Sequence, residues 1–308
     1  MSTYIALFRQ LQNEEYLQRA FRATDAVLRS MNDNGALASV VGPRGHISDQ
    51  VFIFDQAMMS NGLMEFAIEL DHLKHKKASE ILQKALKSID FIIGRLRSGC
   101  WTTQYTMGGE KVDSQDSFFL GKCAQPLVKA YQVTGEDRFV LAAQDISNHV
   151  IERFLSKDGA FRMDGPHIWN RMHYHCYAIE GLLSVSEVVT DPLYNAVAFR
   201  AAMFLRDQQK DNGGFWNRSS SFENDGLEDV PVAAQAIRIW RHYISADASL
   251  QSAIEKAYAY LASLQYTSVS KHLDGGFPFM LPRRLYRRWA CSWACIFFID
   301  SHLPWKPK

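Results

Sequence analysis

The chain has almost no net charge. Its 34 Lys and Arg face 33 Asp and Glu, leaving a formal +1 over 308 residues. That balance argues against a polybasic face for nucleic acid or an acidic membrane surface. The runs Arg283-Arg284 and Arg287-Arg288 are short local exceptions. No uninterrupted apolar segment reaches about 18 residues, so no transmembrane helix is expected. The start, Met1 to Gln10, lacks a basic region followed by a long apolar stretch. No signal peptide is expected, and a cytoplasmic location follows as the expectation. The five cysteines, Cys100, Cys123, Cys176, Cys291 and Cys295, are an odd number without framework spacing. They read as free thiols of a reducing compartment, and Cys291 and Cys295 as core thiols rather than ligands. No metal or cofactor is expected. Strand alternation of useful length and Asn-Gly hairpins are also missing, so the fold should be almost entirely α-helical.

What is present is a repeat. Five times a helical segment runs into a small turn that ends in an aromatic residue or leucine two places after a glycine. The turns are Gly35-Ala36-Leu37, Gly99-Cys100-Trp101, Gly159-Ala160-Phe161, Gly213-Gly214-Phe215 and Gly275-Gly276-Phe277, with glycines 64, 60, 54 and 62 residues apart. Before each turn stands an amphipathic helix: 14–31, 76–96, 137–155, 193–209 and 250–265. Its apolar residues recur at three and four, as in Ala257, Tyr258, Leu261 and Leu264. After each turn a polar loop of roughly ten residues leads to a second helix. These run near 49–70, 113–133, 169–188, 228–243 and 286–302. They are apolar on nearly every side, which marks buried helices. Thr134-Gly135-Glu136-Asp137 and Thr190-Asp191-Pro192 end one helix and start the next.

Helical hairpins of this kind cannot bury their apolar faces alone. Open helical solenoids repeat at roughly 33 to 47 residues. Units of about 60 residues with wholly apolar second helices favour closure into a ring, an all-α α/α toroid, over one domain spanning 1–308. Residues 1–13 add a further helix. Second helices then form an inner wall whose N-termini converge at one mouth, where unpaired N–H groups favour anions.

The turns resemble the QW repeat of the triterpene-cyclase and prenyltransferase superfamily. Phe204, Gln208, Gln209, Gly213, Gly214, Phe215 and Trp216 match well, and Leu264-Gln265 with Asp274-Gly275-Gly276-Phe277 matches more loosely. The other three units keep the glycine and the bulky residue without the glutamine. The same architecture serves glycoside hydrolases, polysaccharide lyases and sugar epimerases of the α/α-toroid type. The segment from Asn170 through His173, Tyr174, His175, Cys176, Tyr177 and Glu180 to Leu182 is similar to one in bacterial exopolysaccharide and uronate-acting toroids. The cyclase pattern Asp-x-Asp-Asp is not met, because Gln115 stands at the acid's place in Asp113-Ser114-Gln115-Asp116. The diphosphate pattern Asp-Asp-x-x-Asp is missing too.

Fourteen residues beyond the five glycines lie Asp49, Asp113, His173, Leu227 and Trp289, equivalent positions if the units superpose. His173 and His175, two apart on a helix, point about 200° away from each other, so they do not chelate one metal. One facing the funnel while the other packs is the reading that follows. Aspartates Asp49 and Asp113 equally fit plain N-caps. Asp55, expected one and a half turns into an apolar helix, needs a partner or a purpose. Glu180 is similar, with Arg171 or Arg288 as a partner. The expected acid/base set is Asp55, Asp113, His173 and His175, with Tyr174 assisting. The expected substrate-binding set is Asp49, Asp116, Trp169, Tyr177, Asp229, Arg284, Tyr286, Arg288 and Trp289. What the resemblance implies is a carbohydrate-active enzyme (lyase, hydrolase or epimerase) acting on an acidic or polyhydroxylated saccharide. Two alternatives stand beside it, a terpene cyclase or prenyl-binding toroid and a non-catalytic interaction toroid.

Overall fold

Helix α9 (Val230–Tyr243) buries residues on every side, whereas α10 (Ser249–Leu264) buries only Leu250, Ala253, Ile254, Ala257, Tyr260 and Leu261. That contrast between an all-round apolar helix and a one-striped helix recurs along the chain. It appears in a computed structural model that describes residues 1–39, 47–96, 103–113, 116–163, 170–219, 224–267, 273–282 and 290–303. Contacts divide the chain into two compact units, Met1–Ile151 with Gly181–Tyr194, and Glu152–Glu180 with Asn195–Lys308.

The first unit begins with α1 (Ser2–Leu11) and α2 (Glu14–Arg29), the latter capped by Asn13, whose side chain accepts the Glu15 N–H at 2.9 Å. The short strand β1 (Val51–Phe52) leads into α3 (Ile53–His72), and α4 (Ala78–Leu96) packs against α3. Strands β2 (Gln104–Tyr105) and β3 (Lys111–Asp113) complete a three-stranded antiparallel ribbon with β1. A 3₁₀ segment (Phe118–Cys123) then runs into α5 (Ala124–Thr134), which stops at Gly135 with φ 71°. Next comes α6 (Asp137–Phe154).

The second unit takes in the start of α7 (Met172–Ser186), preceded by β4 (Asn170–Arg171), and continues from α8 (Pro192–Asp207). Strand β5 (Arg218–Ser219) pairs with β4, and β6 (Glu228–Asp229) pairs with β7 (Met280–Leu281). Helix α9 follows β6 directly, and α11 (Ser292–His302) lies against α9.

The turns repeat at atomic detail. Asn32, Ser156 and Lys210 each donate a backbone N–H to the carbonyl four residues on, and each accepts the N–H of its turn glycine. Gly35, Gly159 and Gly213 have φ of +92°, +90° and +88°. A Cβ there would lie 2.3 Å from Lys87 O, 2.8 Å from Arg200 O and 2.2 Å from Lys256 O. Each turn therefore backs onto a carbonyl of the next amphipathic helix, and only glycine fits both the angle and the space. Two glutamines, Gln209 and Gln265, hold turns of this kind. Gln209 donates to Gly213 O at 3.3 Å and to Ala253 O at 2.9 Å, and Gln265 donates to Gly275 O at 2.9 Å. Gly99-Cys100-Trp101 lies outside the described residues.

Three expectations change. The loops after the turns contain strands of two or three residues, too short to carry an alternation. The second helices start later than expected in the first unit, because those strands occupy the positions before them. Asp113 ends β3, opposite Gln104, rather than starting a helix, and the next described helical segment begins at Phe118.

Candidate active site

Strand β4 ends at Arg171 and α7 begins at Met172, so His173 and Tyr174 fall in the first turn of α7. His173 is half-buried among rings. Its centroid is 4.4 Å from Tyr177, 5.9 Å from Phe297 and 6.3 Å from Trp293, with the last nearly parallel at 23°. Trp293 is 54% exposed, so this stack opens to solvent. Tyr174 accepts a hydrogen bond from Arg171 Nη1 at 2.9 Å, with the guanidinium 5.0 Å from its ring centre. Tyr177, next to His173, is buried, and its hydroxyl is held well above the ordinary phenol range by desolvation, reinforced by the fields of Glu180 and Asp229.

Asp229 is the last residue before α9, anchored by its N–H to Phe215 O at 3.0 Å and paired with Met280 across β6 and β7. It is buried, and its Oδ1 has no hydrogen-bond partner among the described residues. Burial pushes its carboxyl from 3.8 up to about 7, with Asp225 adding to the rise. Its field also reaches Cys291, at the start of α11. The starts of α7 and α11 thus bring His173, Tyr177 and Trp293 together, and the field of Asp229, just before α9, reaches Tyr177 in the same unit. Such a set can give and take protons near neutral pH beside an aromatic platform.

His175 does something else. It is fully buried between Phe161 and Phe204, at 5.4 Å and 5.3 Å. Its Nδ1 accepts the Phe161 N–H at 3.4 Å and its Nε2 bonds to Ala201 O at 2.9 Å, so the neutral Nε2–H form fits both partners. Burial lowers its pKa from 6.5 to about 4. Gln56 occupies the same place in the first unit. It is the fourth residue of α3, as His175 is of α7, and it accepts the Leu37 N–H at 2.7 Å while donating to Ser88 O at 3.1 Å. The expected acid/base role of His175 is therefore corrected to a turn lock, because both nitrogens are committed to backbone and the ring is sealed from solvent.

The first unit holds the other expected acids. Asp55 sits in the first turn of α3, not one and a half turns in, because the helix begins at Ile53. It is half-buried, and desolvation raises its carboxyl, opposed by a hydrogen bond from Ser39, whose hydroxyl also accepts the Phe52 N–H at 2.7 Å. Asp49 is exposed and accepts the Met107 N–H at 2.8 Å, so it ties two loops rather than capping a helix. Asp116 pairs with His149 at 2.7 Å. Sequence reasoning missed His149, which lies 33 residues from Asp116 on a different element and carries no motif. Glu180 is buried and meets Arg238 at 3.2 Å, a partner the sequence reading did not name, with Gln235 beside it at 3.5 Å. Trp169, Arg284, Tyr286, Arg288 and Trp289 lie outside the described residues. Among the described residues no group of three or more His, Cys, Asp and Glu side chains could hold a metal ion, and no helix is long and apolar enough to cross a membrane.

These helical hairpins with buried second helices define an α/α toroid fold. Solved structures with this fold match nearly the whole chain. Cellobiose 2-epimerase from Bacillus thermoamylovorans is 14% identical with a TM-score of 0.77, covering 97% of this chain and 85% of that one. A sugar epimerase from a ruminal bacterium is 12% identical with a TM-score of 0.78, covering 98% and 86%. A glycosyl hydrolase family 88 protein from Bacteroides vulgatus is 12% identical with a TM-score of 0.69, covering 97% and 88%. No protein-family model and no curated protein matches the sequence.

Proposed function

We propose that the protein is a carbohydrate-active enzyme that moves a proton on a sugar, with epimerisation as the reaction its groups suit best. The observation that carries this reading is Asp229, a buried carboxyl pushed up by desolvation, whose field reaches Tyr177, the ring packed against His173. Abstraction of a proton next to a carbonyl and its return on the other face need one group to accept and another to donate. Histidine is the side chain whose ordinary titration lies near neutrality. A carboxyl raised to about 7 is matched to it. Trp293 offers an exposed ring on which the C–H face of a sugar stacks. Tyr174, turned by Arg171, supplies a hydroxyl at the same edge. The fold supports a saccharide substrate by analogy, since the solved structures that share it include epimerases and a glycosyl hydrolase.

The test is incubation with reducing disaccharides, free hexoses and uronate oligosaccharides in deuterium oxide. Proton-moving epimerisation puts deuterium on the sugar carbon next to the carbonyl and yields an epimer, both read by NMR. New reducing ends would mean hydrolysis, and an unsaturated uronate would mean elimination. If no sugar in the panel gains deuterium or changes, the epimerase reading fails.

A further inference from the structure

Strands β4 and β5 place Arg171 and Arg218 directly opposite each other. Opposed residues of an antiparallel pair project from one face, with Cβ atoms about 4.5–5.5 Å apart, and like charges so placed repel. Neither guanidinium is neutralised by an ion pair among the described residues. Arg171 gives Nη1 to the Tyr174 hydroxyl and feels the field of Asp229. Arg218 has a buried Nε with no hydrogen-bond partner among the described residues. The nearby carboxylate, Asp225, spends its oxygens elsewhere. Its Oδ1 accepts the backbone N–H groups of Arg218 and Leu227, and its Oδ2 accepts from Asn217 Nδ2 at 2.6 Å. Two like charges are thus held together against their repulsion, one with an unsatisfied donor, one residue before the turn that carries His173 and Tyr174.

The geometry points to an anion subsite in which Arg171 and Arg218 grip a carboxylate or phosphate on the sugar that His173 and Tyr174 face. The inference rests on the carbohydrate reading above and narrows its substrate to an acidic sugar. Guanidinium groups suit this task because their planar forks match the oxygens of either anion.

Calorimetric binding of glucuronate, glucose 6-phosphate and glucose to the full chain tests it. The expected result is that at least one charged sugar binds about tenfold or more tightly than glucose, with a preference that shrinks as salt is added. The tighter of the two charged sugars tells carboxylate from phosphate. Arg218→Gln should abolish the preference, and Arg218→Lys, which keeps the charge but not the fork, should restore part of it. Thermal melts of both variants report folding, and should Arg218→Gln not fold, the comparison passes to Arg218→Lys and to salt. Equal binding of all three sugars by the wild type would overturn the inference, as would a preference that survives Arg218→Gln. The two readings fail separately. A charged sugar that binds through the arginines but never exchanges a proton keeps the subsite and removes the epimerase. Proton exchange on neutral sugars with no preference for acidic ones does the reverse.

Discussion

His175 and Gln56 make the same two backbone contacts with different chemistry, and the difference is measurable. The imidazole titrates and the amide does not. Burial lowers the His175 pKa from 6.5 to about 4, so the native state refuses a proton that the unfolded chain accepts. A depressed histidine contributes stability that is whole above about 6.5 and drains away as pH falls toward about 4. His175→Gln should fold, since Gln56 shows the amide doing this work, and should flatten the loss of melting temperature across that window. Asp229 has the opposite sign. Its folded pKa of about 7 lies above the ordinary 3.8, so the native carboxyl holds a proton the unfolded chain has released. Its stability is full below 3.8 and is lost as pH rises through about 7. Asp229→Asn should therefore gain stability over the wild type at about pH 8, seen in denaturant melts, while proton transfer falls by about 100-fold. The histidine spacing made it legible that the two rings point different ways, and His175 is the one that is fully buried. What could not be read were pairs distant in the chain, such as Asp116 with His149 and Glu180 with Arg238, because a pairing 33 or 58 residues apart leaves no local pattern.

At the level of elements, the glycine turns were legible because a φ near +90°, as at Gly35, Gly159 and Gly213, strongly favours glycine. The reason for their tight spacing was not, since the carbonyl each one abuts belongs to the next amphipathic helix. Gly213→Ala places a Cβ 2.2 Å from Lys256 O at φ +88°. It should cost on the order of 3 kcal/mol. Gly275 shares a positive φ of +77°, but its Cβ would meet nothing closer than 3.9 Å. Gly275→Ala should cost about 1–2 kcal/mol, for the backbone angle alone. Equal losses in urea melts would contradict this account of the turns. Fourteen residues from each glycine proved a poor ruler. The lock residue lies 21 residues past Gly35 but 16 past Gly159, because the loop between turn and helix varies while the helix start is set by packing. Strands of two residues escaped notice for a simple reason: alternation needs several residues to show.

For the whole molecule, the period-60 pattern of striped and wholly apolar helices led to the α/α toroid without a sequence relative. Solved structures only 12–14% identical carry the same fold over nearly all the chain. Core positions tolerate many apolar residues provided the pattern holds, so architecture outlasts identity. Chemistry is set by a few side chains, and these must be tested one by one. The most direct test is the rate of deuterium incorporation into a sugar substrate by the wild type, His173→Ala and His175→Gln. The account predicts a loss of about 100-fold or more for His173→Ala and a rate within a few-fold of wild type for His175→Gln. Retained exchange in His173→Ala, or its disappearance in a folded His175→Gln, would contradict it.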